Sequence, residues 1–307
     1  MQGPAHGRET ATGGTVVVIS SHVMRGSVGL RAAAFALEVL GHPVWAVPTV
    51  TLPWHPGHAA RAGLPPRDVV SAAALKAALD ALVASPFAGE VRAVLTGYLG
   101  SADQVAVVAG FIDAMRARVP ALTFTFDPVM GDRPADGEAG GGEGRLYIPR
   151  AQAEAMVEHL LPRADCVTPN LFELGWLTGE TDPTAALAAL GTPRALVTSW
   201  PALATGHIAT LLRENGRAFV AEHRRIEGPA HGLGDLTAAL FTGHALDRPP
   251  GQALERACAS VVETLALSAR RGADELAMEA AIGAILRPHG AAGARQLILP
   301  RVGTGAG

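Results

Sequence analysis

The feature that most restricts the fold is a repeated alternation of short β-branched runs with longer stretches of helical apolar spacing. Residues 15–19 read TVVVI, a glycine-bearing loop follows, and residues 30–40 place apolar side chains at helical spacing before Gly41, which suits a helix C′ position. The unit recurs. Residues 91–95 lead through TGYLG to a helix starting at Ser101, 122–126 into DPVMGD, 166–168 into PNLFELGWLTG, and 195–198 into SW. Strands separated by helices are joined by crossovers, so this order predicts a mostly parallel sheet covered on both faces, with ligands gathered at the carboxyl ends of its strands. Ser101 and Gln104 have the spacing of a capping box. Residues 207–212 and 217–221 flank ENG and predict a hairpin, hence an antiparallel edge. Helices are predicted over 236–246, 252–269 and 274–286.

Of 307 residues, 49% are hydrophobic and 17% charged, enough apolar material for a sizeable core. No shift in composition marks a linker. The organisation expected is a flexible tail over 1–14, one domain over 15–290, and a C-terminal segment over 291–307 with a loose end, RVGTGAG. Net charge is −3 and no basic run is interleaved with aromatics, so nucleic acid is not an expected partner. No segment reads as a membrane span, and the opening MQGPAHGRETATGGT lacks the apolar core of a signal peptide. Cys166 and Cys258 lack metal-site spacing and read as reduced thiols, which implies a cytoplasmic protein.

Lys76 is the only lysine, and no GxxxxGK[ST] motif occurs, which excludes a P-loop nucleotide site. Lys76 itself falls on the solvated side of an amphipathic helix. No GxGxxG follows the first strand, which argues against a nicotinamide-dependent oxidoreductase.

Chemistry collects at loops just past the predicted strands. The stretch EGPAHGLGDLTAAL puts two glycines at the start of a helix, so successive N–H groups and the positive helix end suit an anion. A carboxylate there, Asp235, is either a helix cap or a base held beside a phosphate. Asp127 and Asp132 flank the DPVMGD turn, while Asn170 and Glu173 lie near the start of the helix after TPN. Carboxylates that converge on one cleft repel unless a proton or cation intervenes, and magnesium with a polyphosphate meets that need. The segment 132–143, DRPADGEAGGGE, reads as a plain connection or as a lid over a site.

These motifs, in this order from about residue 19 to 286, resemble the pyridoxal kinases of the ribokinase-like superfamily. SHVMRGSVG resembles the substrate loop, TGYLGS the ring-contacting segment, DPVMGD and TPNLFELGWLTG the magnesium and nucleotide segments, and GLGD the catalytic signature. The resemblance implies a three-layer α/β/α sandwich with a mostly parallel central sheet and an antiparallel edge, ATP with Mg2+, a monovalent cation such as K+, and a homodimer. It makes Asp235 the general base, with the N–H groups of Gly232, Leu233, Gly234 and Asp235 stabilising the transferred phosphoryl. Ser21, Val28, His55 and Tyr98 would contact the pyridine substrate. Asp127, Asp132 and Glu173 would organise magnesium, largely through water. Thr168, Asn170, Thr198, Ser199 and Leu233, with Asp127 and Glu173, would face the nucleotide, and Arg224 and Arg225 lie close enough in sequence to reach it.

The chain departs from the family pattern in the segment LPWHPGH, where FSNHTGY is usual. Pro56 takes the place of a substrate-contacting threonine and has neither hydroxyl nor N–H to offer. Trp54 replaces an asparagine, Leu30 another, and Leu233 a frequent threonine. Three readings follow: a kinase of pyridoxal, pyridoxine and pyridoxamine; a hydroxymethylpyrimidine kinase, separable by substrate competition; and a non-catalytic vitamin-binding member of the fold, separable by binding without ATP turnover.

Overall fold

The structure, a computed structural model, describes residues 13–133, 144–229, 231–290 and 293–298. Its first half contains β1 (Thr15–Val23), α1 (Gly29–Val39), β2 (Val44–Leu52), α2 (Ala59–Ala62), β3 (Asp68–Val69), α3 (Ala72–Ala84), β4 (Val91–Thr96), α4 (Ala102–Arg118), β5 (Thr123–Phe126) and β6 (Gly131–Asp132). Then come β7 (Arg145–Leu146), α5 (Arg150–His159), β8 (Cys166–Val167), α6 (Leu171–Thr178), α7 (Pro183–Ala189), β9 (Arg194–Trp200), β10 (His207–Glu214), β11 (Arg217–Arg224), α8 (Leu233–Asp247), α9 (Pro250–Arg270), α10 (Ile282–Leu286) and β12 (Arg295–Leu297).

Ten strands form one sheet in the order β12-β11-β10-β9-β8-β5-β4-β1-β2-β3, and β6 pairs with β7 apart from it. The strands from β9 to β2 run parallel, while β10, β11 and β12 at one edge and β3 at the other pair antiparallel. Alternate residues serve opposite faces, as strand geometry requires. Val17, Ile19 and Val94 join the core beneath α3 to α7, whereas Val16, Val18, Ala93 and Leu95 join the core beneath α1, α8, α9 and α10. The expected three-layer α/β/α architecture is therefore present. The ENG hairpin is present too: Asn215 and Gly216 have φ of 48° and 76°, the left-handed pair that a two-residue turn between twisted strands demands. Lys76 is exposed and pairs with Asp80 one helical turn on, and both cysteines are buried thiols.

Three expectations need correction. Ser101 makes no side-chain cap; Gln104 is fully buried and turns its amide to Gly100 N–H and to the carbonyls of Thr49 and Val70, so tertiary partners replace the capping box. Residues 274–286 are not one helix but a 3-10 turn, Met278–Ala280, followed by α10, because the Ala277 N–H is taken by Ser268 and the preceding residues turn toward distant loops. The C-terminal segment contributes β12, which pairs Ala218 to Val220 on β11 with Leu297 to Arg295. The expected tail over 1–12, most of the proposed lid at 134–143 and the loose end at 301–307 lie outside the described residues.

Candidate active site

From β1 the chain passes to β2 on one side and later reaches β4 on the other, so the strand order reverses between β1 and β4. A crevice opens at such a point at the carboxyl ends of the strands. Here Ser20, Thr96, Gly97, Asp127 and Asp235 surround a void of about 10 Å³, and the buried hydroxyls of Ser20 and Thr96 have no hydrogen-bond partner among the described residues. An open groove of about 620 Å³ lies elsewhere, between α5 and α6, and none of Asp127, Asp235, Ser21 or Tyr98 lines it. Size does not locate the chemistry.

Asp235 sits at the third position of α8, whose N-cap is Gly232. Gly232 has φ +87°, and a Cβ there would lie 2.3 Å from the Ser27 carbonyl oxygen, so both backbone conformation and close approach demand glycine. A Cβ on Gly234 would meet nothing within 4 Å, so no neighbour in the fold requires that glycine. The backbone N–H groups of Asp235 itself and of Gly29, in the first turn of α1, favour the charged form of the Asp235 carboxyl, and α1 has no side-chain cap of its own. Asp235 is thus not the N-cap of its own helix; it stands between the positive ends of two helices. Burial raises its pKa from 3.8 to about 6, and the two backbone N–H groups oppose that rise.

Asp127 follows β5, is buried, and accepts a 2.9 Å hydrogen bond from Thr168 Oγ1. Burial first, then the charges of Glu173 and Asp235, hold its carboxyl well above the usual range. Glu173 is buried at the start of α6 and forms a reciprocal capping box with Asn170. Its carboxylate also accepts from Met130 N at 2.8 Å and Gly131 N at 3.4 Å, which fastens the DPVMGD turn to the α6 helix. Burial lifts its pKa to about 7 against the pull of these N–H groups. The fastening explains Val129, a β-branched residue at φ +42°, a conformation that costs about 1–3 kcal/mol and persists only where its surroundings impose it. Asp132 is exposed on β6 and accepts the Arg133 N–H. Asp127, Asp132 and Glu173 therefore do not form a ready coordination shell, and no group of three or more His, Cys, Asp or Glu among the described residues does. The donor set still fits a cation brought by an anionic ligand, since no basic side chain among the described residues appears among the groups acting on these carboxyls.

On the other side, Ser21 lies in β1 where its register with β2 shifts, and a Cβ on Gly29 would touch Ser21 Oγ at 2.5 Å. Val28 is buried with Val23, Val50 and Leu52, and the half-buried Tyr98 packs on the same cluster. His55 caps the short helix Pro56–His58 by accepting Gly57 N–H, its ring lies 4.4 Å from that of His231, and burial lowers its pKa to about 4. Pro56 is exposed at the first position of that helix, which suits a residue with no N–H, and Trp54 donates to the Gly63 carbonyl.

The remaining candidates follow β8 and β9. Thr168 is committed to Asp127, and Asn170 to the capping box and the Gly131 carbonyl. Thr198 N–H reaches the Pro169 carbonyl. Ser199 has φ +56° where β9 bulges against β10 and is exposed, so the strand runs past the predicted end at 198 to Trp200. Leu233 opens α8, half-buried against the core, and Arg224 and Arg225 are exposed at the end of β11. Sequence reasoning missed four residues here. Ser20 and Thr96 carry no motif beyond a strand end. Arg67 donates to Tyr98 Oη at 3.3 Å and to the Gly100 carbonyl at 3.0 Å, from a loop whose sequence gives no sign of it. Tyr147, half-exposed after β7, lies in the field of Asp127, Asp132, Glu173 and Asp235.

A half-buried carboxylate between two helix N-termini, beside a buried one at the switch point of such a sheet, can take a proton next to a bound anion. Residues 66–279 match the family described as phosphomethylpyrimidine kinase. The chain is 36% identical over 285 residues to a pyridoxal kinase of Rubrobacter xylanophilus, covering 89% of this chain and 94% of that one. It is 31% identical over 277 residues to a pyridoxal kinase of Arabidopsis thaliana, covering 85% and 83%. The pyridoxal kinase of Leishmania donovani, solved in complex with ADP and pyridoxamine, superposes with a TM-score of 0.81 at 29% identity, over 92% of this chain and 99% of that one. The chain belongs to the pyridoxal kinase family.

Proposed function

We propose that the protein transfers the γ-phosphoryl group of ATP to the hydroxymethyl oxygen of pyridoxal, pyridoxine or pyridoxamine, forming pyridoxal 5′-phosphate from pyridoxal in vitamin B6 salvage. The observation that carries this reading is Asp235, a half-buried carboxylate with pKa about 6 held at the meeting point of two helix N-termini. Asp235 takes the hydroxymethyl proton as that oxygen bonds to the γ-phosphorus; the bond from phosphorus to the bridging oxygen breaks, and ADP leaves. Backbone N–H groups at the start of α8 face the charge that accumulates on the phosphoryl oxygens. Ser21, Val28, His55 and Tyr98 are proposed on the vitamin side, and Thr168, Asn170, Thr198, Ser199 and Leu233 on the nucleotide side.

Magnesium accompanying ATP would neutralise polyphosphate charge, and Asp127, Asp132 and Glu173 would organise it, largely through water. A monovalent cation such as K+ is proposed at the phosphates from family resemblance. Residues 15–290 are proposed as a single kinase domain, with β12 of the C-terminal segment added at the edge of its sheet, and the protein as a cytoplasmic homodimer; the two buried thiols support that compartment. No described helix is long and apolar enough to cross a membrane.

The test is incubation with ATP, magnesium and pyridoxal, following the phosphorylated aldehyde, with Asp235→Asn as control. Turnover in the wild type alone supports the reading; equal turnover in both refutes the role of Asp235. Pro56 favours a second reading, in which a hydroxymethylpyrimidine is the better acceptor. Competition between that ring and pyridoxal for turnover separates the two.

A further inference from the structure

Glu275 belongs to none of the motifs, yet its carboxylate reaches three residues in two loops remote in sequence. Oε2 accepts the Ser27 N–H at 2.9 Å, and Oε1 meets His58 Nε2 at 2.7 Å and Arg25 Nη1 at 3.4 Å. The Glu275 and His58 side chains are 9% and 12% exposed, so water does not readily replace these contacts. Neighbouring Asp274 holds the same arginine at 2.8 Å. The backbone is shaped around the group: Gly26 has φ +109°, and a Cβ there would lie 2.3 Å from Glu275 Oε1.

The loops so held close on the catalytic turn. The Ser27 carbonyl oxygen lies against Gly232, where a Cβ would come within 2.3 Å of it. Gly57 leaves room for His231, whose Nε2 would lie 2.2 Å from an added Cβ. His58 and His231 stand edge to face at 6.0 Å. One carboxylate thus ties the 24–28 loop and the 53–58 loop together, and both loops abut residues 231–232 from the vitamin side. Among the described residues, the hydrogen bonds of its side chain all run to these two loops and none to the residues after β5, β8 and β9.

We propose that Glu275 is a positioning residue for the vitamin pocket: it holds the 24–28 and 53–58 loops against the 231–235 turn, so its loss weakens the acceptor site and spares the nucleotide site. The proposal rests on the kinase reading for its kinetic consequence alone. Without the carboxylate, the Ser27 N–H and the His58 ring lose their partner and two loops regain conformational freedom. The turn itself stays in place, because Leu236 to His244 of α8 are buried in the core.

The test compares wild type, Glu275→Ala and Glu275→Gln by amide hydrogen exchange without ligand and by steady-state kinetics. Glu275→Ala is expected to speed exchange in peptides covering 24–28 and 53–58 and not in those covering 236–247, to raise the pyridoxal KM about tenfold or more, and to leave the ATP KM within about twofold. Glu275→Gln retains an acceptor for Ser27 N–H and is expected to recover part of the loss. Unchanged exchange overturns the proposal, as does a parallel rise in both KM values, the mark of general destabilisation. If Glu275→Ala does not fold, His58→Ala combined with Glu275→Gln decides: effects on the pyridoxal KM that multiply independently overturn it, and less-than-multiplicative effects support it. A wild type silent toward pyridoxal refutes the kinase reading, and the exchange result still decides whether Glu275 holds the loops.

Discussion

Replacing Asp235 by asparagine separates its chemistry from its place in the fold. The amide has the same size and keeps an oxygen for the Gly29 N–H, but it accepts no proton. A lost general base costs about 10²–10⁴-fold in turnover. Stability is expected to move the other way. Burial raises the Asp235 pKa from 3.8 to about 6, so the folded state ionises this group less readily than the unfolded chain does. For a raised pKa the stabilising contribution is fully present below the unfolded value and is lost as pH rises through the folded one. Roughly two pH units at about 1.4 kcal/mol each give about 3 kcal/mol lost by pH 8. Asp235→Asn is therefore expected to be more stable than the wild type by up to about 3 kcal/mol at pH 8, by about half as much at pH 5, and not at all below about pH 4. Urea unfolding of the ligand-free proteins across this range, alongside turnover, makes the comparison. A variant less stable than wild type at pH 8, or one keeping more than about a tenth of wild-type turnover, refutes the reasoning.

Other substitutions test the surrounding structure. Gly232→Ala forces a left-handed residue at a cost of about 1–2 kcal/mol and drives a methyl toward the Ser27 carbonyl, so a lower melting temperature and a fall in turnover of about tenfold or more are expected; an active variant with unchanged melting would contradict the close packing. Arg67→Ala removes the donor at Tyr98 Oη and the guanidinium 6.0 Å from the ring centroid, so the pyridoxal KM should rise about three- to tenfold with the ATP KM unchanged. Thr264→Val removes a buried hydroxyl with no partner among the described residues and is expected to raise stability by about 1 kcal/mol, read from the urea midpoint.

The layers were legible because their signal is local and repeated. Alternation of β-branched and helical segments implies crossovers, and crossovers imply a parallel sheet with strand ends on one side. The ENG turn carried its own backbone requirement, and GLGD carried both a glycine-dependent turn and an acid at a helix start. Asp127, Glu173 and Asp235 were legible as candidates at strand ends for the same reason: each follows a strand. Their division of labour was not. Glu173 and Asn170 spend their hydrogen bonds on each other and on the DPVMGD turn, Asp132 faces outward, and Asp235 caps α1 from another helix. Nor did spacing reveal that Gln104 would leave its own helix cap for β2, that residues 274–286 would break, that Arg67 would reach Tyr98, or that Glu275 would reach Ser27 and His58. Sequence alone determined the alternation of strands and helices and the strand-end loops where polar candidates gather, because those follow from periodicity and turn stereochemistry. Tertiary structure alone decided which polar groups meet, because a buried donor or acceptor takes whichever partner the packed layers bring within about 3 Å, however distant it is along the chain.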